Sequence, residues 1–165
     1  TLIYAPLSHT TREAWHSGEL LDDAKGPIAE LEAAILAAVE NYVRDLGRDP
    51  DHPFLADPPE TLSLKVWGVV MRGKGHQIAH IHPAAWLSGV YYPQVPEFAG
   101  DDGEAGWIEF GRPPDHFSNV ARPETRSIRP EPGLLVLFPS YFFQRTIPFA
   151  VDGTCVSIAF DLVPG

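Results

Sequence analysis

At 165 residues, 44% of them hydrophobic, the chain is long enough for one domain with one buried core. Twelve Lys and Arg against 22 Asp and Glu leave a formal charge of −10, which argues against a nucleic-acid backbone as an electrostatic partner. No apolar run reaches the roughly 18 residues that cross a bilayer, and a single cysteine cannot close an internal disulfide, so the expectation is a soluble, cytoplasmic protein with no membrane partner. Its oligomeric state stays open.

Leu2-Ile3-Tyr4 reads as an edge strand, followed by a polar, acidic stretch through Asp23. Gly26-Pro27 then places proline where a helix can begin. Ile28, Leu31, Ile35, Val39, Tyr42, Val43 and Leu46 recur at helical spacing until Gly47, which predicts a long helix packed outside a sheet and carrying no chemistry. Pro50, Pro53, Pro58 and Pro59 make the next stretch irregular. Residues 1–60 are thus a helical and irregular support region, and 61–165 the strand-rich core, of a single domain spanning 1–165.

From Thr61 the period changes. Leu62 to Met71 reads as a long strand, Arg72-Gly73-Lys74-Gly75 as a turn, and Ile78 to His82 as a further strand. Successive side chains of a strand alternate faces, so His80 and His82 point the same way, close enough to grip one metal ion. Trp86 to Tyr92 is the next strand, with Gly89 leaving space for a ligand or a backbone. Gly100 to Glu104 reads as a solvated acidic turn, and a long loop from Gly111 to Thr125 carries His116, Phe117 and Asn119. Further strands fall at Gly106 to Phe110, Arg126 to Arg129, Gly133 to Phe138, Phe142 to Ile147 and Thr154 to Leu162. Seventeen prolines and 14 glycines punctuate these short runs, which suits a mainly β jelly roll closing over an interior that can hold a ligand.

On the last strand Cys155, Ser157, Ala159 and Asp161 are small or polar, whereas Val156, Ile158, Phe160 and Leu162 are large and apolar, so the small set is expected to face the cavity. Trp86, Tyr91, Tyr141 and Phe142 are candidates for a substrate pocket, and His76 or His116 for its mouth or for a replacement ligand. Cys155 has no activating neighbours in sequence, and the chain has no GxSxG elbow, phosphate loop or paired CxxC motif.

The segments HIHPAAWLSGVYY, LVLFPSYFFQRTIPF and VSIAFD together resemble those of Fe(II)/2-oxoglutarate-dependent oxygenases built on a double-stranded β-helix, a cupin-like jelly roll, from about Leu62 onward. The resemblance implies metal ligands at His80 and His82 and a third at the position of Gln144, where the family places histidine. An arginine holding the far carboxylate of 2-oxoglutarate is implied at the position of Cys155. Two functional positions therefore depart from the pattern together. With Cys155 unable to supply a positive charge, Arg145, Tyr92 and Ser157 are the remaining candidates to hold the co-substrate.

The reaction implied is oxidative decarboxylation of 2-oxoglutarate to succinate, coupled to hydroxylation of a small molecule or a protein side chain. Two alternatives stand beside it. One is a binding protein of oxygenase descent that has lost the third ligand and the arginine; the other is a cupin-like hydrolase or isomerase using another divalent metal.

Overall fold

Proline at the first helical position and glycines on either side delimit α1 (Pro27–Leu46), whose fixed φ at Pro27 suits a helix start. The computed structural model describes residues 1–4, 11–23, 25–97, 103–118, 121–150 and 152–165. Strands β1 (Leu2–Tyr4) and β2 (Thr11–Glu19) precede the helix. After it come β3 (Leu62–Gln77), β4 (Leu87–Gln94), β5 (Ile108–Phe110), β6 (Arg126–Ile128), β7 (Leu135–Pro139), β8 (Gln144–Thr146) and β9 (Thr154–Pro164). They form an antiparallel six-stranded sheet in the order β1-β2-β3-β9-β4-β7 and a three-stranded sheet in the order β6-β5-β8.

The alternation along β9 decides what lies on each side of the large sheet. Phe160 and Leu162 are buried in a cluster with Ile35 and Val39 of α1, Val66 of β3 and Leu87 of β4. Full burial of such a side chain is worth about 1.5–3 kcal/mol, which is what holds the helix on this face. The opposite face belongs to a second cluster, in which Met71, Val90, Tyr92 and Cys155 of the large sheet meet Ile108 and Phe110 of the small one. This is a mainly β double-stranded β-helix with its one long helix on the outside.

Three local readings change. Residues 11–19, read as a polar stretch, form β2, because β3 supplies a pairing partner and Ala14 and Thr11 are buried on its inner side. Arg72 to Gly75 is no turn: β3 runs on to Gln77, and its irregular middle lies opposite a register shift between Arg12 and Ala14, where Glu13 has φ 50°. Gly75 is required there, since a Cβ would lie 2.8 Å from Met71 Cβ and 3.0 Å from the Glu13 carbonyl oxygen. The segment Ile78 to His82 is not a regular strand either; it makes one antiparallel bridge, His80 with Gln144. The acidic turn at 100–104 lies partly, and Asn119 wholly, outside the described residues.

Candidate functional site

The His80–Gln144 bridge builds the site. Each backbone N–H donates to the other's carbonyl at 3.0 Å, and residues paired in this way project their side chains to the same face. Two residues on, His82 donates its N–H to the Ser140 carbonyl at 3.0 Å, and the two imidazoles come to rest 5.2 Å apart with planes 26° from parallel. Trp67 stacks on the far side of His82 at 5.9 Å.

Both imidazoles have their tautomer set by a group that can only accept. His80 Nδ1 donates to the Ile78 carbonyl at 2.7 Å, and His82 Nδ1 donates to Asp161 Oδ1 at 2.7 Å, so each Nε2 keeps its lone pair. Asp161 Oδ1 also accepts from Ser88 Oγ at 2.6 Å, across the β4–β9 register that puts these two residues opposite each other. Burial holds the His80 imidazole below its ordinary range, and neighbouring His82 adds to this, while the Ile78 carbonyl and Asp161 work against it. Gln144 Nε2 lies 3.0 Å from His82 Nε2 and donates to it, since the amide oxygen would meet a lone pair there.

These groups share a cavity of about 300 Å³. Tyr92, Ser157, Ala159, Thr146, Met71, Gln77 and His16 contribute to its wall; among the described residues Asp161 is its one carboxylate, and no Lys or Arg lines it. Ser157, Ala159 and Asp161 thus face the interior, as their alternation suggests. Cys155 does not line the cavity: it is 3% exposed, packed in the core between the sheets, and burial pushes its thiol up to about 11. Tyr92 is buried as well, and desolvation, with the Cys155 thiol adding, drives its hydroxyl far above the usual range.

Several sequence candidates lie elsewhere. Arg145 donates to Glu109 at 2.6 Å and lines a neighbouring groove together with His76 and His116. Trp86 stacks on Phe54 at 4.9 Å, and Tyr141 meets Phe54 edge-on at 5.6 Å, in a separate aromatic groove. Phe142 is exposed and meets Tyr141 edge-on. Tyr91 is half-buried between Leu135 and Ile158 in the sheet and does not line the cavity. Asp161 was expected on the cavity face of β9 but not as the partner of His82, and Ser88, His16, Gln77 and Thr146 were not singled out. The signal for Asp161 was its place on the small, polar face of β9; Ser88 had none beyond its neighbours.

A jelly roll with two imidazoles and an amide converging on an interior cavity defines the non-haem oxygenase class of β-helix. Residues 65–161 match the family described as "Putative 2OG-Fe(II) oxygenase", and the chain belongs to that family of enzymes. Among solved structures, it resembles a prolyl-4-hydroxylase from Pseudomonas putida at 13% identity and TM-score 0.63, over 99% of this chain and 78% of that one. It also resembles HygX from Streptomyces hygroscopicus, solved with nickel and 2-oxoglutarate bound, at 11% identity and TM-score 0.64, over 99% and 73% of the two chains. A prolyl hydroxylase from Trichoplax adhaerens, in complex with a hypoxia inducible factor peptide fragment, matches at 14% identity and TM-score 0.62, over 98% and 70%. At these identities the likeness is one of fold. No curated protein matches the chain. Among the described residues, no helix is long and apolar enough to cross a membrane.

The residues fit the two groups that the family implies unequally. For a metal, His80 and His82 offer two lone pairs, but no group of three His, Cys, Asp or Glu side chains that could hold one is found among the described residues, and the neighbour beside the pair is the Gln144 amide. For 2-oxoglutarate the fit fails. A buried dianion needs a cation, and among the described residues this cavity presents the hydroxyls of Tyr92, Thr146 and Ser157, the neutral Gln77 and Gln144, the imidazoles of His16, His80 and His82 and the Asp161 carboxylate, with no Lys or Arg.

Proposed function

We propose that the protein works as a non-haem oxygenase whose divalent metal, Fe(II), is held by Nε2 of His80, Nε2 of His82 and the amide oxygen of Gln144. The observation that carries this reading is that both imidazoles spend their Nδ1 protons elsewhere, on Ile78 and Asp161, and turn unprotonated Nε2 atoms to the cavity beside Gln144. Bound there, iron would supply the redox chemistry with dioxygen. The chain's own part is to keep His80 neutral, to hold the His82 tautomer, and to wall the cavity with Trp67, Met71 and Tyr92. Gln144 must turn its amide over to ligate, because its N–H now caps His82. A neutral amide is also a weaker donor than imidazole or carboxylate, so metal affinity is expected to be low.

The missing cation and the Gln144 cap favour a second reading, a ligand-binding protein of oxygenase descent without turnover. Anaerobic Co(II) titration followed by visible absorption, then succinate release and oxygen uptake with Fe(II) and 2-oxoglutarate, separates the two. The oxygenase reading expects saturable metal in the wild type and oxygen uptake above a protein-free control, both rising in Gln144→His. Metal binding gained only in Gln144→His assigns the wild type to the second reading.

A further inference from the structure

Beside the histidine cavity runs a groove of about 400 Å³, and Gln77 and Thr146 line both. We propose that this groove binds an oxyanion, the carboxylate or phosphate of a small molecule, through Arg112 and Arg145. Glu109, in the middle strand of the small sheet, has a side chain only 5% exposed. Its Oε2 accepts from Arg112 Nε at 2.7 Å and Arg145 Nε at 2.6 Å, and its Oε1 accepts from Arg112 Nη2 at 3.2 Å. One carboxylate neutralises one guanidinium, so the trio keeps a net positive charge.

A guanidinium carries five N–H donors. Both terminal nitrogens of Arg145 and Nη1 of Arg112 have no hydrogen-bond partner among the described residues, and the two side chains are 27% and 41% exposed. Glu109 fixes both forks in place, so an incoming anion finds donors that are already ordered. Asp115 also lines the groove and acts on Arg112, but it is exposed, and solvent screens it, so it weakens the positive field without cancelling it. His116 lines the same wall and can offer a ring N–H, whereas His76 spends its Nδ1 proton on the Lys74 carbonyl at 3.1 Å. Among the described residues no Lys or Arg lines the cavity next door, so the groove, and not the cavity, offers guanidinium donors to an anion. The proposal stands apart from metal binding, since neither arginine lines the histidine cavity.

The test titrates inorganic phosphate and succinate, separately, into the ¹⁵N-labelled full chain, with ionic strength held constant by chloride. At least one anion is expected to shift the arginine Nε–H signals saturably; which one does so distinguishes a phosphate-bearing from a carboxylate-bearing ligand. Arg112→Gln should weaken the Kd about tenfold, and Glu109→Gln, which frees a second positive charge, should tighten it by a similar factor. Arg112→Gln alone decides if Glu109→Gln fails to fold, because Arg145 still pairs with Glu109 in that variant. No saturable shift with either anion, or the same Kd in wild type and Arg112→Gln, overturns the proposal.

Discussion

Asp161→Asn asks whether one carboxylate governs the histidine pair. Asp161 accepts from His82 Nδ1 at 2.7 Å and from Ser88 Oγ at 2.6 Å, with its side chain 17% exposed. Asparagine keeps the shape and removes the charge; both partners donate to the same Oδ1, so the amide oxygen takes that place as a neutral, weaker acceptor and the NH2 falls at the position of Oδ2. Hydrogen bonds to a charged group contribute about 1.5–3 kcal/mol and neutral ones about 0.5–1.5, so weakening two, with some solvent screening, should cost about 1–2 kcal/mol of unfolding free energy. The effect on His82 is the more specific one. A neutral amide oxygen accepts from Nδ1 more weakly than the carboxylate, so the hold on the Nδ1-protonated tautomer, which leaves Nε2 the lone pair that a metal needs, is loosened. Loss of such an outer partner lowers metal affinity by about 10–100-fold. Urea unfolding measures the stability, Co(II) titration the affinity, and ¹⁵N spectra of the His82 ring the tautomer. If the Nδ1-protonated form persists and the Co(II) Kd stays within twofold of wild type, the role assigned to Asp161 is wrong.

Gly89→Ala should destabilise the protein by about 1–3 kcal/mol in thermal or urea unfolding, because the added Cβ would run into the Phe160 ring and lie 2.8 Å from the Val136 carbonyl oxygen. An unchanged midpoint would mean that β4 and β9 slide apart without cost. Cys155, pushed up to about 11 by burial, should resist thiol reagents at pH 8 in the native protein and react once it is unfolded. Its folded value is raised above the ordinary 9.0, so its contribution to stability is whole below pH 9 and lost as pH rises toward 11. Cys155→Val should flatten that alkaline decline; a decline identical to wild type would trace it to another group.

Features that depend on neighbours in the chain were legible in the sequence. The helix ends where Gly26-Pro27 and Gly47 allow it to, because caps and proline geometry act within one turn. The two faces of β9 follow from strict alternation, which a strand cannot evade without losing its buried side chains. The convergence of His80 and His82 also came from spacing, although a bridge and a loop hold them there rather than a strand.

What only the tertiary structure decided are pairings between residues far apart in sequence. Residues 11–19 are polar enough to pass for a loop, and become β2 because β3 offers them a ladder. Asp161 orients His82, and Glu109 binds Arg145, only once cross-strand register has placed them opposite their partners. Cys155 shares the small face of β9 with Ser157, but the sheets close over it before the cavity begins. Residue order states what each side chain can do. Which other side chain it does it with is set by where non-local hydrogen bonds and apolar burial bring the strands to rest.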